Sequence, residues 1–598
     1  MINLQTQIRD EIKIAFEELF KYDCPIDNIS IDETPKNFNG FYTLVIFPHL
    51  NYLKSNPEKI GTKIGEYLKE KSQIISDYNL VKGFLNFDLS NEFLLSLLIE
   101  INKSKKWGIV SDKGLEVMVE FSSPNTNKPL HLGHLRNIFL GDAISKIYNS
   151  YGYKTHKVQI INDRGIHICK SMISWKLFGR NTTPDSEGIK GDKYVGNYYV
   201  LFEKEHKKQI KELIDKGYDE KEAESNTPIM KEAIELLQKW ERKDKSTLEL
   251  WSKMNNWVYN GFKSTYDGLG VSFDKNYYES ETYLLGKKNI EKGLSKTIFY
   301  KKDDGSVWVN LENDGLDNKI LLRSDGTSVY MTQDIGTAIK RFEDFPNIQK
   351  QIYTVGNEQD YHFKVLFKIL EKLDYKWAKE CYHLSYGMID LPDGKMKSRE
   401  GKVVDADDLI NLMIETAKKR TEELGKIDDF NASDLKDLYK KIALGALKYY
   451  LLRVDPKKKI LFNPEESIDF QGNTGPFIQY TYARIKSIIR RANNLGIDYE
   501  NISMKKSYNL SIHHKKLINH IYSFPNMIEI AIKNYSPAFI CQFLYELSKL
   551  FNSFYQDEKI IDNNVNETTP FKIALSDITS KTLYNGLKLL GIDVTEKM

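Results

Sequence analysis

The apolar positions lay out a sequence of elements. Over residues 1–113 the pattern is mixed. Leu4, Ile8, Ile12, Ala15, Phe16 and Leu19 recur at helical spacing, Thr43–Pro48 (TLVIFP) is strand-like, and Glu92–Ile101 is helical. Leu115–Phe121 (LEVMVEF) alternates like a strand and enters a loop containing Pro and Asn. Helical spacing follows through Leu135, Ile138, Phe139, Ala143, Ile144 and Ile147, stops at Gly152, and gives way to a second strand at Lys157–Ile161. Strand, helix and strand within about 45 residues make a βαβ unit, and hence part of a parallel sheet. Residues 200–265 are rich in Lys, Glu and Leu at helical spacing and read as a helical insertion, taken as about 180–265. The α/β pattern returns at Gln351–Val355, a helix from Tyr361 and a strand at Tyr382–Ile389; from about 405 the periodicity is almost wholly helical. The expected architecture is an N-terminal α+β domain (1–113), a Rossmann-like α/β parallel-sheet domain (114–420) and a C-terminal all-α domain (421–598).

Composition narrows the class. A chain of 598 residues has room for three or more domains, and 28% charged residues is ordinary for globular protein. No window approaches about 18 consecutive apolar residues, so no membrane span is expected. Asp10, Glu11, Glu17 and Glu18 crowd the first helical segment, whereas secretory signals and transit peptides are poor in acids; a cytoplasmic protein is expected. Cys24, Cys169, Cys381 and Cys541 stand singly, which suggests neither a disulfide framework nor a zinc site. Residues 431–598 carry 23 basic against 17 acidic side chains, and the remainder 63 against 66. The helical part is thus mildly basic, as either an RNA-facing module or a solvated helical surface would be.

Two motifs carry chemistry. Lys128-Pro-Leu-His131-Leu-Gly133-His134 falls where a strand ends and a helix begins. His131 and His134 share one face of the first turn, the helix N-terminus offers unpaired N–H groups, and Gly133 permits close approach of a nucleotide. The alternative is a pair of histidines that merely cap the helix. Some 260 residues downstream, Gly394-Lys395-Met-Lys397-Ser398-Arg399-Glu-Gly401-Lys402 carries four basic residues in a Gly-bounded loop, able to neutralise a triphosphate. A plain basic turn would look the same.

Together the motifs resemble the paired signatures of class I aminoacyl-tRNA synthetases, HLGH matching "HIGH" and KMKSR the "KMSKS" loop. The run Glu120-Phe-Ser-Ser-Pro-Asn125-Thr-Asn-Lys128-Pro-Leu-His131-Leu-Gly-His134-Leu-Arg136 resembles arginyl-tRNA synthetases in particular. So do Asn162-Asp-Arg-Gly165, Tyr278-Glu279-Ser280, Tyr330-Met-Thr-Gln-Asp334-Ile-Gly336, Gln359-Asp-Tyr-His362 and Gly472–Tyr480 with Tyr482-Ala-Arg484.

The resemblance implies a two-step reaction on arginine, ATP with Mg²⁺, and tRNA(Arg), with no zinc and no protein nucleophile, in a chain expected to be a monomer. It implies Glu279 and Asp334 on the substrate guanidinium, a planar fork that needs carboxylates, with Asn125, Tyr330 and Gln359 as polar partners. It implies His131, Gly133, His134, Met388, Lys395, Lys397 and Ser398 around ATP, and Lys128, Lys395 and Arg399 on the departing pyrophosphate. Phe477, Tyr480, Tyr482 and Arg484, beside Lys486, are the expected RNA contacts, the alternative being a helix core with a basic outer face. The N-terminal domain resembles the family's extra domain that touches the tRNA elbow. The loop departs from the family pattern, since Lys397 stands where Ser is usual and Ser398 where the second Lys is usual. Either Lys128 or Lys397 takes over that charge. Two other readings are weighed: a glutamyl or cysteinyl synthetase, which the acidic residues at 279 and 334 and the absence of zinc ligands disfavour, and an inactive RNA-binding paralogue, in which HLGH and the lysines would be expected to have decayed.

Overall fold

The computed structural model describes residues 4–35, 37–104, 106–390, 404–423, 425, 430–500, 509–561 and 568–598. Its centre is a five-stranded parallel sheet in the spatial order Cys381–Tyr386, Ile348–Gly356, Leu115–Glu120, Tyr153–Ile161, Lys275–Tyr278. The chain runs outward in both directions from Leu115–Glu120. The strand order therefore reverses between that strand and Ile348–Gly356, and the crevice beyond the carboxyl ends at such a reversal is where α/β sheets bind ligands. The central parts of these two strands, Val117–Glu120 and Gln351–Thr354, are buried on both faces, as parallel strands between helices are.

The predicted βαβ unit is present, with helix Leu132–Ser150 between its strands. The second strand begins at Tyr153, earlier than the apolar run alone suggests, because Tyr153 to Lys157 pair in register with Leu115 to Val119. The strand expected over Tyr382–Ile389 ends instead at Tyr386, and Ile389–Asp390 pairs separately with Ile460–Leu461. Helices Gly191–Ile214, Pro228–Glu241 and Lys245–Leu269 build most of the insertion. A three-stranded antiparallel sheet, Phe299–Lys301, Val307–Val309 and Lys319–Leu322, went unseen in the sequence, its strands being only three or four residues long. Among the described residues no helix is long and apolar enough to cross a membrane.

The N-terminal part is a four-stranded antiparallel sheet backed by helices Leu4–Phe20 and Pro57–Lys71. It docks on the C-terminal helices: Tyr42 OH donates to Asn519 Oδ1 (3.0 Å), and Trp107 Nε1–H to the Ile521 carbonyl (2.9 Å). Lys448, 4% exposed, joins the central and C-terminal parts by donating to the carbonyls of Leu269 (2.8 Å) and Gly591 (2.5 Å).

One ion pair braces the carboxyl end of the sheet. Glu120, at the end of its strand, accepts from Arg341 Nη1 of helix Tyr330–Asp344, and both are buried, between the rings of Tyr277 and Tyr353. Removing one partner strands a buried charge, so Glu120→Ala is expected to cost about 3–5 kcal/mol of stability. Urea unfolding checks this; an unchanged midpoint would contradict it.

Candidate active site

All five strand ends deliver residues that the sequence singles out. After Leu115–Glu120 the chain turns through Ser122 and Ser123, both with positive φ (70° and 47°), a conformation that non-glycine residues adopt only when held. They are held: the Ser122 N–H donates to Asn137 Oδ1, Ser122 Oγ lies 2.7 Å from Tyr266 OH, and Ser123 Oγ donates to Glu120 (3.2 Å). This turn leads to Asn125, which is exposed and bridges to Asn162 beyond the neighbouring strand.

His131 is the N-cap of helix Leu132–Ser150. Its Nδ1 accepts the Gly133 N–H (3.1 Å), while its own N–H donates to His134 Nδ1 (3.2 Å), a reciprocal capping box. A Cβ at Gly133 would stand 3.0 Å from the His131 ring, so glycine makes room for this cap. Burial, helped by the charge of Lys128, pushes His131 down to about 3 and His134 well below its usual range. Both rings are therefore neutral, and a neutral ring accepting at Nδ1 carries its proton on Nε2. Neither Nε2–H has a partner among the described residues. Capping and phosphate binding are thus compatible, because the cap fixes each tautomer and leaves a donor over. The stretch Leu130–Leu132 is also stitched to Val404–Ala406, with Leu132 N–H donating to Val404 O (3.3 Å) and Ala406 N–H to Leu130 O (2.9 Å). Lys395, Lys397, Ser398 and Arg399 lie outside the described residues.

Across the sheet, Asp163 follows strand Tyr153–Ile161. It is 1% exposed and accepts from Ser280 N–H (2.9 Å), Ser280 Oγ (2.7 Å) and Tyr259 OH (2.9 Å). These bonds fix the short helix Glu279–Thr282 at the end of strand Lys275–Tyr278. Glu279 thereby sits half-buried with no hydrogen-bond or ion-pair partner among the described residues. Burial pushes its carboxyl up to about 7, Arg164 opposing the rise and Asp163 and Asp334 adding to it. Asp334 lies one turn along from Tyr330 and bonds His362 Nε2 (2.6 Å); Tyr330 is 72% exposed and Gln359, just before the His362 helix, is exposed. The structure thus brings Glu279 within reach of the charge of Asp334, and Asp334 into contact with His362, while the two histidines lie nearer the switch point. Met388, 49% exposed, follows the outermost strand. The sequence reading missed Asp163, His362 and Arg136 as supports.

The residues expected to contact RNA lie apart, on helix Gly475–Asn494. Tyr480, Arg484 and Arg491 line a groove of about 860 Å³ with Phe430, Tyr555 and Met598, and the Arg484 guanidinium stands 5.0 Å from the Tyr480 ring and 5.1 Å from that of Tyr555. Phe477 is half-buried with its ring 5.6 Å from that of Tyr545. Tyr482 is a correction: it is 7% exposed and belongs to the core stripe with Ile478, Ile485 and Ile489, so its face is not offered to a base.

A parallel sheet with HLGH at its switch point defines the class I aminoacyl-tRNA synthetase catalytic domain. The profile "tRNA synthetases class I (R), catalytic domain" matches residues 96–463, flanked by the "Arginyl tRNA synthetase N terminal domain" at 3–89 and the "DALR anticodon binding domain" at 478–598. The chain is 50% identical over 609 aligned residues to the arginine–tRNA ligase of Flavobacterium psychrophilum and 48% identical over 599 to that of Bacteroides fragilis (strain YCH46), covering all of each chain in both cases. The chain belongs to the arginyl-tRNA synthetases. Its fold is that of the Thermus thermophilus arginyl-tRNA synthetase (TM-score 0.78, 23% identity, all of both chains) and of the Plasmodium falciparum enzyme (TM-score 0.75, 21% identity, 100% and 99% covered).

Proposed function

We propose a division of labour for the ligation of arginine to tRNA(Arg), with ATP as the activating substrate. The arginine carboxylate attacks the ATP α-phosphate in line, pyrophosphate leaves, and the 2′-OH of the terminal adenosine then attacks the activated carbonyl and releases AMP. Catalysis is positioning and charge stabilisation, without a protein nucleophile. The Nε2–H groups of His131 and His134 donate to ATP phosphates; Lys128, Lys395 and Arg399 neutralise the departing pyrophosphate, with Lys397 and Ser398 along the same loop; Met388 lies beside adenine. Mg²⁺ enters with the ATP phosphates. Asn125 takes the amino-acid end of arginine, Glu279 and Asp334 its guanidinium, and Tyr330 and Gln359 complete the polar lining. The chain acts as a cytoplasmic monomer.

The observation that carries this reading is Glu279, a largely buried carboxyl with no hydrogen-bond or ion-pair partner among the described residues, whose protonation the nearby charge of Asp334 favours. Two acidic side chains so placed suit a cation with several donors. Citrulline, the neutral near-isostere of arginine, would leave these groups unsatisfied, so activation should favour arginine by about 10⁴-fold or more. Comparable kcat/KM values for the two would overturn the pocket.

On the RNA side, the groove lined by Tyr480, Arg484, Arg491 and Tyr555 supplies aromatic faces between positive charges, as stacking on unpaired bases requires. Arg491→Ala is expected to raise the KM for tRNA severalfold and to flatten its salt dependence, while leaving the KM for ATP unchanged. Aminoacylation at two salt concentrations measures this; an unmoved KM for tRNA would contradict it.

A further inference from the structure

Helix Leu132–Ser150 opens with the two histidines and then buries Arg136 completely (0% exposed). Among the described residues this guanidinium has no carboxylate within ion-pair distance. Its partners are backbone carbonyls from two segments. Nη1 donates to Gly387 O (2.5 Å) and Met388 O (3.4 Å), and Nη2 to Asp455 O (3.4 Å), Pro456 O (3.0 Å) and Lys458 O (2.8 Å). A buried charge held by backbone carbonyls and the Tyr386 ring (5.9 Å), with no carboxylate in ion-pair distance among the described residues, is a costly way to fasten two loops, which points to a requirement for their geometry.

The two segments are also laced to each other. Gly387 N–H donates to Pro456 O (2.9 Å) and Ile460 N–H to Met388 O (3.1 Å). A Cβ on Gly387 would stand 2.7 Å from Lys458 O. These bonds end strand Cys381–Tyr386 and divert Gly387–Met388 away from the sheet. The Met388 N–H and half of its side chain are left open, the N–H having no partner among the described residues. The adjacent Asn137 reinforces the junction, its Nδ2–H donating to Tyr386 OH (3.2 Å) and Thr354 O (2.7 Å).

We propose that Arg136 is a positioning residue for the nucleotide: it locks the Gly387–Met388 backbone in register with His131 and His134, so that one helix sets both the phosphate donors and the edge that meets the base. This rests on the nucleotide site proposed above. A planar fork spans both sets of carbonyls; a lysine ammonium, a compact point charge, cannot. The inference predicts damage confined to ATP.

The test is steady-state ATP–pyrophosphate exchange with Arg136→Lys, and with Gly387→Ala, which forces the same two segments apart without touching the charge. Misplacement of a contact by about 1 Å typically costs up to about 10²-fold. The KM for ATP should therefore rise about 10- to 100-fold in both variants, the preference for ATP over GTP should narrow, and the KM for arginine should stay within about twofold. His131→Asn and His134→Asn are run in parallel. If these two leave ATP kinetics unchanged, the nucleotide site itself is wrong. If they impair ATP use while folded Arg136→Lys does not, the role of Arg136 is wrong. An equal rise in both KM values with a lowered melting temperature would show general loosening and would also overturn the proposal.

Discussion

Glu279→Gln is expected to lower kcat/KM for arginine about 10²–10³-fold, the usual consequence of removing one member of a desolvated charge pair. The KM for ATP should change little, because the groups proposed for ATP lie at other strand ends. The wild-type protein should carry a matching pH signature. Glu279 has a pKa of about 7, and only its ionised form attracts the guanidinium. Affinity for arginine is thus lost as pH falls through about 7, by roughly tenfold per unit below pH 6, and binding there releases a proton. Above about pH 8 it is flat. In Glu279→Gln the dependence should vanish. Calorimetric titration at several pH values measures both affinity and proton release; a wild-type affinity independent of pH from 5 to 8 would contradict the assignment.

Lys128→Ala is expected to lower arginine-dependent exchange by about 10²–10³-fold, the scale seen when one preorganised donor to developing charge is removed. Lys128 lies near enough to the two histidines to depress their protonation, so it stands beside the groups assigned to the phosphates. Lys397 is the alternative bearer of the charge missing from the loop. A large loss in Lys128→Ala with a small one in Lys397→Ala selects Lys128, and the reverse selects Lys397.

Much of the fold was legible because it rests on periodicity. The strands around Val117–Val119 and Ile352–Val355 are apolar runs bounded by loops, and the HLGH helix has an unbroken stripe ending at a glycine. The motif residues were legible through the family resemblance, since no spacing relates Asn125, Glu279 and Asp334. Their supports were not legible. Arg136 bonds carbonyls some 250 to 320 positions away, and backbone carbonyls leave no mark in a sequence. Asp163 holds Ser280 across more than a hundred residues, and His362 holds Asp334 from a separate helix. Tyr482 shows a different failure. Aromatic and basic residues on helix Gly475–Asn494 were read together as one surface, although Ile478, Tyr482, Ile485 and Ile489 already follow the spacing of a core stripe, and Tyr480, Arg484 and Arg491 that of the opposite face.

The central claim is that this site activates arginine. Arginine-dependent ATP–pyrophosphate exchange, run with and without tRNA(Arg) and with glutamate and cysteine as controls, tests it most directly. The account predicts exchange with arginine when tRNA(Arg) is present, and none with glutamate or cysteine. Absence of arginine-dependent exchange even with tRNA(Arg) present would contradict it.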